Sequence, residues 1–197
     1  MTLYHGTNQL IGTIDLSKSR NRVDFGKGFY LTDKIGTAYK WAIRKAELEG
    51  EGIPTVLGYE INPDIYGFFG FRFPNTPEIA WLEFICSNRR ARPLQPGSGE
   101  PRHGFHWLAG PIADDKVVDV VAEYMRDEIP AAVAIQRLRV LPQTYQVSLH
   151  TPAAVGFVDE ENVIYKQLKK GRWTQSWMKR ASASKVRPGD TMLFGND

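Results

Sequence analysis

Cysteine is nearly absent. Cys86 is the single thiol in 197 residues, so the chain has neither an internal disulfide nor a thiolate set for structural zinc. Within "WLEFICSN" it falls at helical spacing from Trp81 and Leu82 and reads as a small buried hydrophobe rather than a nucleophile. Histidine is scarce too. His5, His103, His106 and His150 are the only four and none forms a His-x-x-x-His pair, so no metal is expected. No run approaches the ~20 apolar residues that span a bilayer. "MTLYHGTNQL" lacks the basic-then-apolar pattern of a leader, and the expected location is cytoplasmic, with no membrane partner. Neither sign of charge dominates: 25 Lys and Arg against 22 Asp and Glu give a formal net charge of +3, too little by itself to require a nucleic acid. Internal repeats are absent as well.

What is present is a mixture of short strands and helices without strict βαβ alternation, which predicts an α+β class. "TLYH" and "GFYLT" read as strands bounded by Gly6 and by Gly26 and Gly28. Thr32 or Asp33 is placed to cap a helix whose apolar positions Ile35, Ala38, Trp41, Ala42 and Ala46 keep the 3.6 period until Gly50. "TVLGYEI" is a further strand, and "IYGFFGF" a strand or edge loop weakened by glycine. In "NTPEIAWLEFICSN", Thr76 is placed to cap, Pro77 suits a first turn, and Ile79, Leu82 and Ile85 with Trp81 form the buried face. "RRARPLQPGSGEPRHG" holds three prolines, three glycines and four arginines and is expected to be a loop. "FHWLAGPI" and "YQVSLH" read as strands, and "KVVDVVAEYM" and "PAAVAIQRLRVL" as helices, with Asp114 and Asp115 where negative charge favours a helix start. The expected division is a main domain over 1–158 and a basic extension over 159–197. The stretch from Lys166 to Asp190 carries eight Lys or Arg against one Asp, with Trp173 and Trp177 interleaved. That patch suits single-stranded nucleic acid, an acidic protein such as an antitoxin, or simply a solvated helix face.

Two stretches carry the chemistry. In "LYHGT", His5 and Thr7 flank a glycine whose missing side chain leaves the backbone open to close approach; by itself this is an ordinary strand end. "DFGKGFYLTDKIGTAYKW", residues 24–41, adds Gly26 and Gly28, the phenol of Tyr30, and the rings of Tyr39 and Trp41 on the next helix. Two bare strands with rings beside them make a slot for a flat, amide-bearing ring such as nicotinamide. Arg20 and Arg22, in the preceding loop, are placed either to bind a pyrophosphate or to sit solvated. Glu83 reads as an exposed-face carboxylate.

"YHGT" followed by "FGKGFYLTDKIGTAYKWA" resembles the signature of the ADP-ribosyltransferases of the poly(ADP-ribose) polymerase and diphtheria-toxin type. The run from His5 through "WLEFI", "GPIADD" and "YQVSLHT" is similar to a bacterial domain-of-unknown-function family placed in that superfamily, over roughly residues 2–158. The resemblance implies a split β-sheet core with surrounding helices, NAD as co-substrate and a macromolecular acceptor, protein or nucleic acid, in the manner of a toxin or effector. His5 would bond the adenosine ribose, the Gly6 backbone would pair with the carboxamide beside Thr7, and Gly28 would line the slot. Tyr30 would pack on nicotinamide, with Trp41 or Tyr39 as the second stacking ring. The serine of the family aligns with Ala38, and Thr37 is the nearest hydroxyl. The glutamate that completes the His-Tyr-acid triad aligns with Gln146, an amide that accepts a hydrogen bond but carries no charge. Losing one such stabiliser costs on the order of 3 kcal/mol, which points to slow transfer, and the resemblance implies single-unit transfer, because loss of the glutamate accompanies it in the resembling polymerases. Two alternatives accompany this reading: a module of the same fold that binds NAD or ADP-ribose without turnover, and an enzyme related to the RNA 2′-phosphotransferases, which share a His-Gly-Thr strand.

Overall fold

The structure, a computed structural model, describes residues 1–90, 103–113, 116–141, 144–169, 172–173 and 178–179. Its strands are β1 (Thr2–Thr7), β2 (Phe29–Thr32), β3 (Thr55–Glu60), β4 (Gly70–Arg72), β5 (Trp107–Pro111), β6 (Tyr145–Leu149), β7 (Ile164–Lys169), β8 (Arg172–Trp173) and β9 (Met178–Lys179). The helices are α1 (Ile35–Glu49), α2 (Ile79–Arg90), α3 (Lys116–Met125), α4 (Ala131–Arg139) and α5 (Pro152–Val155). The architecture is α+β, built on one mixed sheet in the order β4-β5-β6-β2-β1-β3-β7, with β8 and β9 added to β7. Among these pairs only β4 with β5 is parallel. Through β7, the segment 159–197 contributes a strand to the main sheet.

Side-chain alternation along each strand divides the sheet into two faces. Leu3, Phe29, Leu31, Leu57, Tyr59, Trp107, Ala109, Val147 and Leu149 share the larger core. On the opposite face, Leu108 meets Trp81, Leu82, Ile85, Val117, Val121, Ala134 and Leu138 from α2, α3 and α4. Ala38 and Ala42 of α1 cover Val56 there, with Tyr4 and Tyr39 against them. Gly6 makes this docking possible: a Cβ on it would lie 1.9 Å from the Ala38 carbonyl oxygen. The bareness of that glycine therefore admits a helix backbone.

The sheet is narrowest at its centre. β1 and β3 are paired at six positions and β2 and β6 at four, but β1 and β2 are in register only at Tyr4 and Thr32. Beyond that pair the two strands part, on the side where β1 runs on through His5, Gly6 and Thr7.

The helix starts differ from expectation. α1 begins at Ile35 with Lys34 at its N-cap and no side-chain cap. The Thr32 hydroxyl donates to the Tyr145 carbonyl across the sheet and accepts from Lys34 N at 3.2 Å, so it serves the β2–β6 junction first. α2 begins at Ile79, after Thr76 and Pro77, and Ile79 is 48% exposed instead of buried. Trp81, Leu82, Ile85 and Cys86 are buried as the helical period requires, and Glu83 is exposed. Asp114, Asp115, most of the loop 88–104, Trp177 and most of the basic stretch lie outside the described residues.

Candidate functional site

His5 lies on β1 where β1 and β2 part. Its Nδ1 lies 2.7 Å from the Tyr30 carbonyl; a carbonyl only accepts, so the proton is on Nδ1 and Nε2 carries the lone pair. The ring stacks on Phe29, centroids 4.4 Å apart. Burial, with Lys45 and Arg20 nearby, lowers the His5 pKa to about 4, and the imidazole is neutral at pH 7. No described residue bonds Nε2.

Tyr30 leaves β2 by the opposite face from Phe29 and His5. Its hydroxyl donates to the Gly26 carbonyl at 2.7 Å and accepts from Phe25 N at 2.9 Å. Desolvation, then the charge of Asp24, pushes its pKa well above the usual phenol value. Two histidines join it in gripping the glycine loop. His103 Nδ1 accepts from Phe105 N, leaving Nε2 to donate to the Phe25 carbonyl at 3.0 Å. His150 Nδ1 donates to the Lys27 carbonyl at 2.8 Å, and its Nε2 accepts from the Ser148 hydroxyl. Three consecutive carbonyls, of residues 25, 26 and 27, are thus turned inward onto His103, Tyr30 and His150. Desolvation and His103 lower the His150 pKa to about 3. Gly28 is needed for this grip, because a Cβ there would lie 2.7 Å from His150 Nδ1.

Gln146 stands on β6 opposite Thr32, on the face that Tyr30 uses. It is buried, and its Nε2 donates to Asp24 Oδ2 at 2.9 Å and to the Pro111 carbonyl at 3.3 Å. A carboxylate cannot donate, so the bond to Asp24 fixes which end of the amide is nitrogen. Asp24 is the hub of this region. Its Oδ1 takes Arg89 Nη2 at 2.6 Å and Nε at 3.2 Å, its Oδ2 also accepts from Ala113 N, and its own carbonyl accepts from Asn88.

The remaining predicted residues surround these. Thr7 is buried and its Oγ1 accepts from Lys45 Nζ at 3.4 Å. Arg20 is exposed. Thr37 is buried. Tyr39 packs on the α1–β1–β3 interface, whereas Trp41 is half-buried with the Arg44 guanidinium over its ring. The structure thus brings His5 to the Tyr30 backbone and sets Tyr30 and Gln146 on one face, while the side chains of His5 and Tyr30 lie on opposite faces of β2. Asp24, Arg89, His103 and His150 were not anticipated. The one available signal was an acid immediately before the glycine loop, since Asp24 and Gln146 are 122 residues apart in sequence.

A family model described as a protein of unknown function, DUF3990, matches residues 1–159. The chain belongs to the DUF3990 family. Comparison with curated proteins and with solved structures gives no match. The DUF3990 match spans β1 through α5 and so contains His5, Asp24, Tyr30, Arg89, Gln146 and His150. Among the described residues of this DUF3990 chain, no group of three His, Cys, Asp or Glu side chains is placed to hold a metal ion, and no helix is long and apolar enough to cross a membrane.

Proposed function

We propose that the chain is a mono-ADP-ribosyltransferase of the split-sheet type, taking NAD into the opening between β1 and β2. The observation that carries this reading is His5: a neutral imidazole, anchored through Nδ1 and offering Nε2 as an acceptor. A ribose hydroxyl is a matching donor, and the resemblance of the "YHGT" strand assigns the adenosine ribose to this residue. The parting of β1 from β2 after one registered pair is in keeping with a split core.

In the proposed reaction the bond between nicotinamide nitrogen and ribose C1′ breaks, its electron pair leaving with nicotinamide. A nucleophilic oxygen or nitrogen of the acceptor forms the new bond to C1′ and gives up its proton. Gln146 is assigned the alignment of the nicotinamide ribose through its carbonyl oxygen, so most of the rate comes from holding the dinucleotide in a reactive pose. The acceptor is a protein or a nucleic acid. A second reading, a module that binds NAD or ADP-ribose without cleaving it, is favoured by one observation: Gln146 is uncharged and its amide nitrogen is already held by Asp24.

NAD labelled separately in nicotinamide and in adenylate phosphate tests both readings. Release of labelled nicotinamide with phosphate label on a macromolecule is the expected result. Saturable binding with neither event leaves the binding module, and no binding at all overturns the proposal.

A further inference from the structure

The position the resemblance gives to a glutamate holds Gln146, and the structure supplies a physical reason. Asp24 enters from the loop before β2 and places Oδ2 2.9 Å from the Gln146 nitrogen. That carboxylate is anchored from two other sides, by Arg89 through two nitrogens and by Ala113 N, and the Asn88 amide holds the Asp24 backbone carbonyl. Arg89 is itself tied to the Ala113 carbonyl at 2.8 Å. The loop acid therefore has no alternative position, and whatever stands at 146 must donate to it.

We infer that Asp24 is the positioning residue of this site: it requires an amide at position 146, holds that amide by its nitrogen, and so directs the carbonyl oxygen away from the buried network. This inference rests on the proposed function only in assigning a ligand to that oxygen; the pairing itself does not. Among the described residues, the charged groups facing position 146 are Asp24 and Arg89, with the Tyr30 phenol on the adjacent strand. A glutamate at 146 would put two carboxylates at hydrogen-bond distance with one arginine between them. Two such groups in one buried site share a proton. Moving the amide to position 24 and the carboxylate to 146 keeps one charge, one amide and Arg89, and restores a donor–acceptor pair. The exchange still costs two bonds: an amide nitrogen at position 24, turned toward the carboxylate at 146, no longer accepts from Ala113 N, and a carboxylate at 146 no longer donates to the Pro111 carbonyl.

The test compares wild type, Gln146→Glu and the exchange Asp24→Asn with Gln146→Glu by thermal denaturation between pH 5 and 8. In Gln146→Glu the folded pair has a raised pKa, so its stability is present at low pH and is lost as pH rises through that value. The midpoint of Gln146→Glu should therefore climb relative to wild type as pH falls from 8 to 5. The exchange should be more stable than Gln146→Glu at pH 7 and flatter in its pH dependence. If Gln146→Glu is unfolded throughout, folding of the exchange at pH 7 carries the same meaning. A Gln146→Glu profile parallel to wild type, or an exchange no better than Gln146→Glu, overturns the inference. Nicotinamide release is read on the folded exchange as a separate arm. A rise on the order of tenfold or more, from a charge restored at the reacting ribose, supports the transferase reading. A stable exchange with no rise counts against that reading and leaves the pairing intact.

Discussion

His5 and His150 are both held neutral by burial, and each uses its Nδ1 proton on a backbone carbonyl and keeps Nε2 as an acceptor. Protonation would put a buried charge against Lys45 and Arg20 at His5, and against the His103 ring at His150. Both folded values, about 4 and about 3, lie below the ordinary 6.5. The unfolded chain therefore binds more protons than the folded one through this window, and stability falls as pH drops below about 6.5. For His5 the loss at pH 5 should be about 2 kcal/mol. Urea unfolding at pH 7 and pH 5 should show a smaller pH-dependent loss in His5→Gln than in wild type; equal losses would mean that His5 is not held neutral. The histidine and its glycine were legible in "YHGT" as a strand end open to close approach. The tautomer was not, because it is set by the Tyr30 carbonyl, which a sequence does not place.

At the scale of elements, α1 is the part whose position depends on a single missing side chain. The sequence showed its period and its C-terminal Gly50, which adopts the left-handed conformation at φ +67°. The start was less legible, because Thr32 and Asp33 both have capping chemistry yet neither side chain caps the helix: Thr32 is held by the Tyr145 carbonyl, and Asp33 pairs with Lys34 at the surface. Gly6 reads in sequence as room for a ligand, and in the fold it is room for Ala38 and Ala42. A Gly6→Ala substitution drives a methyl into backbone atoms that cannot rotate away. Its expected cost is about 1–3 kcal/mol or more, with α1 displaced from β1 and β3. Chemical denaturation checks this, and a change within about 0.5 kcal/mol would show that the helix is not seated on that glycine.

For the whole molecule, strands and helices were readable from periodicity, whereas the sheet order was not. β2 lies between β1, its neighbour in sequence, and β6, whose Tyr145 carbonyl is 113 residues from Thr32. The hub at Asp24 was hidden for the same reason: its partners Arg89, Ala113 and Gln146 come from three later parts of the chain. In the proposed function, the gap left by the parting of β1 and β2 receives a dinucleotide on His5 Nε2. Imidazole nitrogen resonances recorded during titration with NAD test it directly. His5 Nε2 should shift as its lone pair accepts a hydrogen bond, while His103 and His150 keep their tautomers. A His5 Nε2 resonance unmoved at saturating NAD would contradict it.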